Sequence, residues 1–133
     1  MKRWSNRTWI VLGGSVALLF LGAISVGLYL LIRSGATRPL DNLFGDQHLK
    51  TTVALVELHK VRYGLYPASL SELKFTGEWD AIALGSVSYC ASPGGKSYYV
   101  EVSRGWAGKP ELRMPEEFWR GTGFNRSLGP SCH

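Results

Sequence analysis

Residues Ile10–Ile32 read IVLGGSVALLFLGAISVGLYLLI, without one charged side chain. At about 1.5 Å of rise per residue such a run extends roughly 34 Å as a helix, enough to cross a hydrocarbon core of about 30 Å. A helix satisfies its own backbone polar groups inside lipid, which an irregular segment cannot do. Trp4, Trp9 and Tyr29 lie near its ends, where amphipathic rings favour the membrane interface. The sequence therefore predicts one membrane-spanning helix over residues 10–32. A short tail, residues 1–9, precedes it, and everything else hangs from it.

Working outward, the charges divide unevenly. The chain carries 15 Lys and Arg against 10 Asp and Glu, a net +5. All ten acidic residues fall from Asp41 onward, where five Lys and five Arg balance them. The whole excess comes from Lys2, Arg3 and Arg7 before the span and Arg33 and Arg38 after it. Basicity is thus a membrane-flank signal and not a phosphate-binding patch, and no nucleic-acid partner is expected. The positive-inside rule puts the N-terminus in the cytoplasm and the remaining domain outside. Ser34-Gly35-Ala36 could pass as a cleavage site, but the apolar run exceeds the roughly 7–15 residues of a cleaved signal, so a permanent anchor is expected. Gly13 and Ala17, then Ala23 and Gly27, place small residues four apart, a spacing that permits self-association of such helices.

About a hundred residues after the span suffice for one small domain. Residues 33–45 read as a linker and the start of a helix, and residues 46–133 as the domain. Arg38-Pro39 breaks one helix and can open another. From there to Tyr63 the apolar residues fall on two stripes: Leu49, Val53, Val56 and Tyr63, and Ala54, Leu58, Val61 and Leu65. At about 100° per residue the stripes lie on nearly opposite faces, so either one rests on the domain and the other on a partner, or the small domain wraps most of the helix. We assign the outward, partner-binding role to Leu49, Val53, Val56 and Tyr63. Gly64 ends the helix, and Tyr66-Pro67 forces an extended step. A short helical turn follows near Ser69–Glu72, with Leu65, Leu70 and Leu73 tucked back onto the core. Residues 78–80 read as a loop.

Alternation at Ser86–Tyr89 and again at Tyr98–Ser103, around the turn Ser92-Pro93-Gly94-Gly95-Lys96, predicts a β-hairpin. Leu112 and Met114 suggest a third strand. Pro115 to Gly121 reads as one helical turn with acids at its start, and the tail as loop. The expected class is α+β, a helix packed on a small antiparallel sheet. The two cysteines, Cys90 and Cys132, read as a disulfide in an exported domain.

No catalytic constellation emerges. Gly95-Lys96-Ser97 lacks the preceding glycine of a P-loop, since Cys90 stands there, and is followed by a strand pattern. His48 and His59 lie three helical turns apart, too far to share a metal. Glu116 and Glu117 are adjacent and point apart. Neither an enzyme activity, nor a cofactor, nor a metal is expected.

The segment Leu55–Leu73, LVELHKVRYGLYPASLSEL, resembles the globular start of type IV pilins and of the pseudopilins of type II secretion. In those proteins a long N-terminal helix ends in a Gly-x-Tyr-Pro-like stretch, here Gly64, Tyr66 and Pro67, followed by a leucine-bearing turn, here Leu70 and Leu73. The Cys90 and Cys132 pair resembles the C-terminal disulfide loop of many pilins. The resemblance implies a pilin-like, membrane-held binding protein, an accessory part of a pilus or secretion system with protein partners in the periplasm or inner membrane. The chain departs from the family where a prepilin peptidase would act. Cutting after Gly14 would put Leu19 at the position of the expected glutamate, and no acidic residue precedes Asp41. The aspartates of the pseudopilin calcium site are also missing. A second reading is an anchored immunity or inhibitor protein that captures a toxin or an enzyme.

Overall fold

The computed structural model describes residues 6–74 and 76–131. They form α1 (Asn6–Arg33), α2 (Arg38–Tyr63), a 3-10 turn (Leu70–Glu72), α3 (Glu78–Leu84), β1 (Val87–Ala91), β2 (Tyr98–Val102), α4 (Glu116–Trp119) and a second 3-10 turn (Arg126–Ser131). The chain divides into two compact units, Met1–Thr37 and Arg38–His133.

In the first unit, Gly13–Arg33 has a mean hydropathy of 2.4 over its most apolar stretch. It is a helix near the N-terminus long and apolar enough to cross a membrane. Ser25 returns its hydroxyl to Leu21 O at 2.8 Å, which satisfies a polar group within the helix itself. Arg33 donates to the Tyr29 hydroxyl at 2.9 Å, so the first charge after the apolar run is joined to a ring one turn before it.

The second unit is a mixed helix-and-sheet domain. β1 and β2 pair antiparallel, with Tyr89 opposite Val100 and Cys90 opposite Tyr99. The turn between them uses left-handed Gly94 and Gly95, at φ 83° and 61°, a conformation that favours glycine. Along β2 the alternate residues Tyr98, Val100 and Val102 are buried. They pack with Leu49, Val53 and Val56 of α2, and with Tyr66 and Leu73, into one core. α2 ends where Gly64 takes φ 83°, and Lys60 turns back onto the Gly64 carbonyl. Of the leucines after it, Leu73 is buried and Leu70 is partly buried against the core, whereas Leu65 is exposed.

Three sequence expectations need correction. The outward stripe is reversed: Leu49, Val53 and Val56 are 4%, 6% and 0% exposed and form the core. Only Tyr63 of that set is open, because it lies at the last residue of α2. The presumed loop at residues 78–80 is the start of α3. Asp80 accepts the Gly77 N–H at 2.7 Å, its carboxylate capping the first turn from the third position.

The third correction is at Leu112 and Met114. Among the described residues the sheet has two strands, and these two side chains reach the core from an irregular segment. The backbone of that segment is held by α2, and its Lys109 reaches Glu101 of β2 with its side chain at 2.6 Å. Asp41 accepts the N–H groups of Ala107 at 2.7 Å and Gly108 at 3.0 Å, and Asn42 accepts that of Glu111 at 2.9 Å. Gly45 lets the segment close in, since a Cβ there would lie 2.7 Å from Pro110 Cγ.

Candidate functional site

The outward face of α2 is the feature left over once the core is assigned. At about 100° per residue, Leu40, Leu43, Phe44, Gln47, Thr51, Ala54, Leu58 and Val61 fall within an arc of about 100°. Its middle is polar, at Gln47 and Thr51, and its two ends are apolar. Inward residues meet the sheet because Asp41, Gly45, Leu49, Thr52, Val53 and Val56 share the opposite side, and all six are buried.

The first end faces α3. Leu40, Leu43, Phe44, Gln47, His48 and Thr51 line one wall of a groove of about 560 Å³, and Trp79, Ile82 and Ala83 line the other. Trp79 stands 83% exposed. Phe44, His48 and Ile82 also border a second depression of about 580 Å³ that leads to Arg104 and Trp106, so the two form one continuous surface. The Phe44 and His48 ring centroids lie 6.1 Å apart. Burial, and then the Arg104 charge, hold His48 below its ordinary 6.5, so the imidazole is neutral at neutral pH.

The second end carries Leu58, Val61 and Leu65, with Val61 81% exposed. Tyr63 flanks it, its ring 4.6 Å from that of His59 and beneath the Lys74 ammonium at 5.8 Å. The Leu58–Leu65 stripe is the one exposed by the correction above. The signal that could have chosen between the stripes is Gly45 and Asp41, which extend the inward stripe toward the N-terminus and mark close approach and a buried polar tie.

Away from both ends, Glu57 collects polar contacts. It accepts from the hydroxyls of Tyr66 at 3.0 Å and Tyr98 at 3.0 Å, and from the Gly123 N–H at 3.0 Å. Burial first, then the hydrogen bond to Glu57, push the Tyr66 phenol up to about 12. Burial raises Tyr98 and Tyr89 as well, and the Tyr89 hydroxyl donates to Pro67 O at 2.8 Å. Neutral phenols on one carboxylate tie α2 to the sheet and the C-terminal segment. Tyr66 also lines an open depression of about 640 Å³ with His59, Tyr63 and Glu72.

Cys90 in β1 is disulfide-bonded, and Cys132, the other cysteine of the sequence, lies outside the described residues. Among the described residues no group of three or more His, Cys, Asp and Glu side chains could hold a metal ion. No protein-family model matches the sequence, and no match was found among curated proteins or among solved structures.

Proposed function

We propose that the chain is a single-pass protein of a bacterial inner membrane whose periplasmic domain binds another protein through the second apolar end of α2. The observation that carries this reading is the exposed pair Leu58 and Val61 on a helix whose opposite face already fills the core, with exposed Leu65 just past the helix end. A monomeric domain gains nothing by keeping such a row in water, and exposed apolar rows mark contact surfaces. The helix Gly13–Arg33 supplies the anchor, and the excess of basic residues before it favours a cytoplasmic N-terminus. A disulfide at Cys90 suits an oxidising compartment. A pilin-like accessory role in a pilus or secretion system rests on the segment Leu55–Leu73 and on the mixed helix-and-sheet layout.

The test is a photo-activated cross-linker placed at Val61 in the full chain in cells, with the adduct identified by mass spectrometry. A single discrete protein adduct, absent when the probe stands at exposed Glu111, supports the reading. A component of an assembly machine would favour the pilin-like role, and a toxin or an enzyme the inhibitor role. No protein adduct at Val61, with the chain present in the membrane, overturns it.

A further inference from the structure

We propose that the first apolar end, formed by Leu40, Leu43, Phe44, Trp79, Ile82 and Trp106, seats the domain in the lipid interface of the membrane that holds α1. The inference rests on reading α1 as a membrane anchor.

The occupant follows from the tether. Only residues 34–37 separate α1 from α2. Four residues reach at most about 14 Å, so the chain itself limits Leu40, Leu43 and Phe44 to within about 25 Å of the last residue of α1, a distance over which an interface at that residue can be met. By contrast, Val61 is seventeen positions beyond Phe44, about 25 Å farther along the helix. A bilayer that receives the first turns of α2 together with α3 meets the first end alone when the helix is tilted from its plane, and on that arrangement the second end is assigned to protein.

Chemistry agrees with position. Leu43, Trp79 and Trp106 are 69%, 83% and 65% exposed, and α3 presents Trp79 and Ile82 three positions apart on one side. Indole rings with an apolar body and a polar N–H favour the headgroup boundary over either water or hydrocarbon. A helix pair with such a face lies against a bilayer without spanning it. Arg104 stands exposed and lines the depression beside this surface, placed to meet anionic headgroups. Of the nearby acids, Asp46 is paired with Lys50, whereas Asp41 and Asp80 accept backbone N–H groups, which bring no opposing charge. Asp80 lines the groove itself and Glu78 is exposed, so the apolar and indole groups carry the docking and Arg104 adds only a local attraction.

The experiment uses the full chain in liposomes of phosphatidylethanolamine and phosphatidylglycerol. A benzophenone amino acid replaces Leu43, Ile82, Val61 or Leu21, one at a time, and intact masses are read after irradiation. All four side chains are exposed, so no core contact is removed. The expected result is a mass gain of one phospholipid at Leu43, Ile82 and Leu21, and none at Val61. Equal lipid capture at Leu43 and Val61, which share one face of α2, would mean that the whole outward face lies along the bilayer, and would overturn the proposal of a lipid end and a protein end. A chain-to-chain adduct at Leu43 would assign the surface to a second copy instead. Lipid capture at Leu21 without capture at Leu43 and Ile82 would leave the anchor standing and reject the docking. No capture at Leu21 would reject the anchor itself and the docking with it.

Discussion

The Tyr98 hydroxyl donates to Glu57 Oε1 over 3.0 Å, joining the first residue of β2 to α2 across 41 positions of sequence. The same carboxylate receives Tyr66 and the Gly123 N–H, so helix, sheet and C-terminal segment meet at one side chain. Gly123 is required there, because a Cβ would overlap the Tyr66 ring.

Removing that acceptor strands two phenols and an amide in a poorly hydrated place. Glu57→Ala should destabilise the domain by about 3 kcal/mol, since each unsatisfied buried donor costs about 1–3 kcal/mol. Glu57→Gln keeps the shape and one acceptor, and should cost about half as much. Urea unfolding of the full chain in detergent, followed by the tyrosine near-ultraviolet signal, reads both. Unchanged midpoints would show that Glu57 does not hold these elements together.

Alkaline pH tests the same centre. Tyr66 is pushed from its ordinary 10.0 up to about 12 by burial and then by Glu57. The folded form thus binds this proton more tightly than the unfolded chain. Its contribution is fully present below about pH 10 and is lost as pH rises toward about 12. Tyr66→Phe should lower stability at neutral pH and flatten the decline between those limits. A parallel decline in wild type and variant would exclude Tyr66 as its source.

Asp41 pins the segment after β2, being 2% exposed and bonded to the amides of Ala107 and Gly108. Asp41→Ala should speed hydrogen exchange at those two amides by one to two orders of magnitude, the equivalent of about 1–3 kcal/mol. Exchange at Val100, in the core strand, should change far less. Equal acceleration at both places would mean global destabilisation and not release of the segment.

Much of this fold was legible in local signals. The apolar run became α1, the Gly64 stop and the alternation through Tyr98–Val102 became a helix end and a buried strand, and Pro115 with its following acids became α4. What was not legible depends on distant partners. Leu112 and Met114 alternate like a strand, yet Asp41 and Asn42 claim the backbone of their segment from seventy positions away. Residues 78–80 lacked an apolar period because Trp79 and Ile82 face outward. The two stripes of α2 have similar apolar character, and periodicity cannot say which one the sheet will cover. Gly45 and Asp41, which extend the inward stripe toward the N-terminus, break that tie.

The reversed stripe makes the sharpest distinction between folding and binding. Val53 is 6% exposed and belongs to the core, so Val53→Asp places an unpaired charge among Leu49, Val56 and Val100. A cost of about 4 kcal/mol or more is expected, enough to unfold a domain of this size. Leu58 is 40% exposed, and Leu58→Asp should cost about 1 kcal/mol or less, because the charge remains solvated. The two variants should separate further at the partner. Leu58→Asp should keep the wild-type unfolding midpoint and lose the protein adduct captured from Val61, since a solvated carboxylate in an apolar contact must be stripped of water without a compensating cation. Equal losses of stability from the two substitutions would mean that both faces of α2 are covered by its own domain, and the binding face would have to be sought elsewhere.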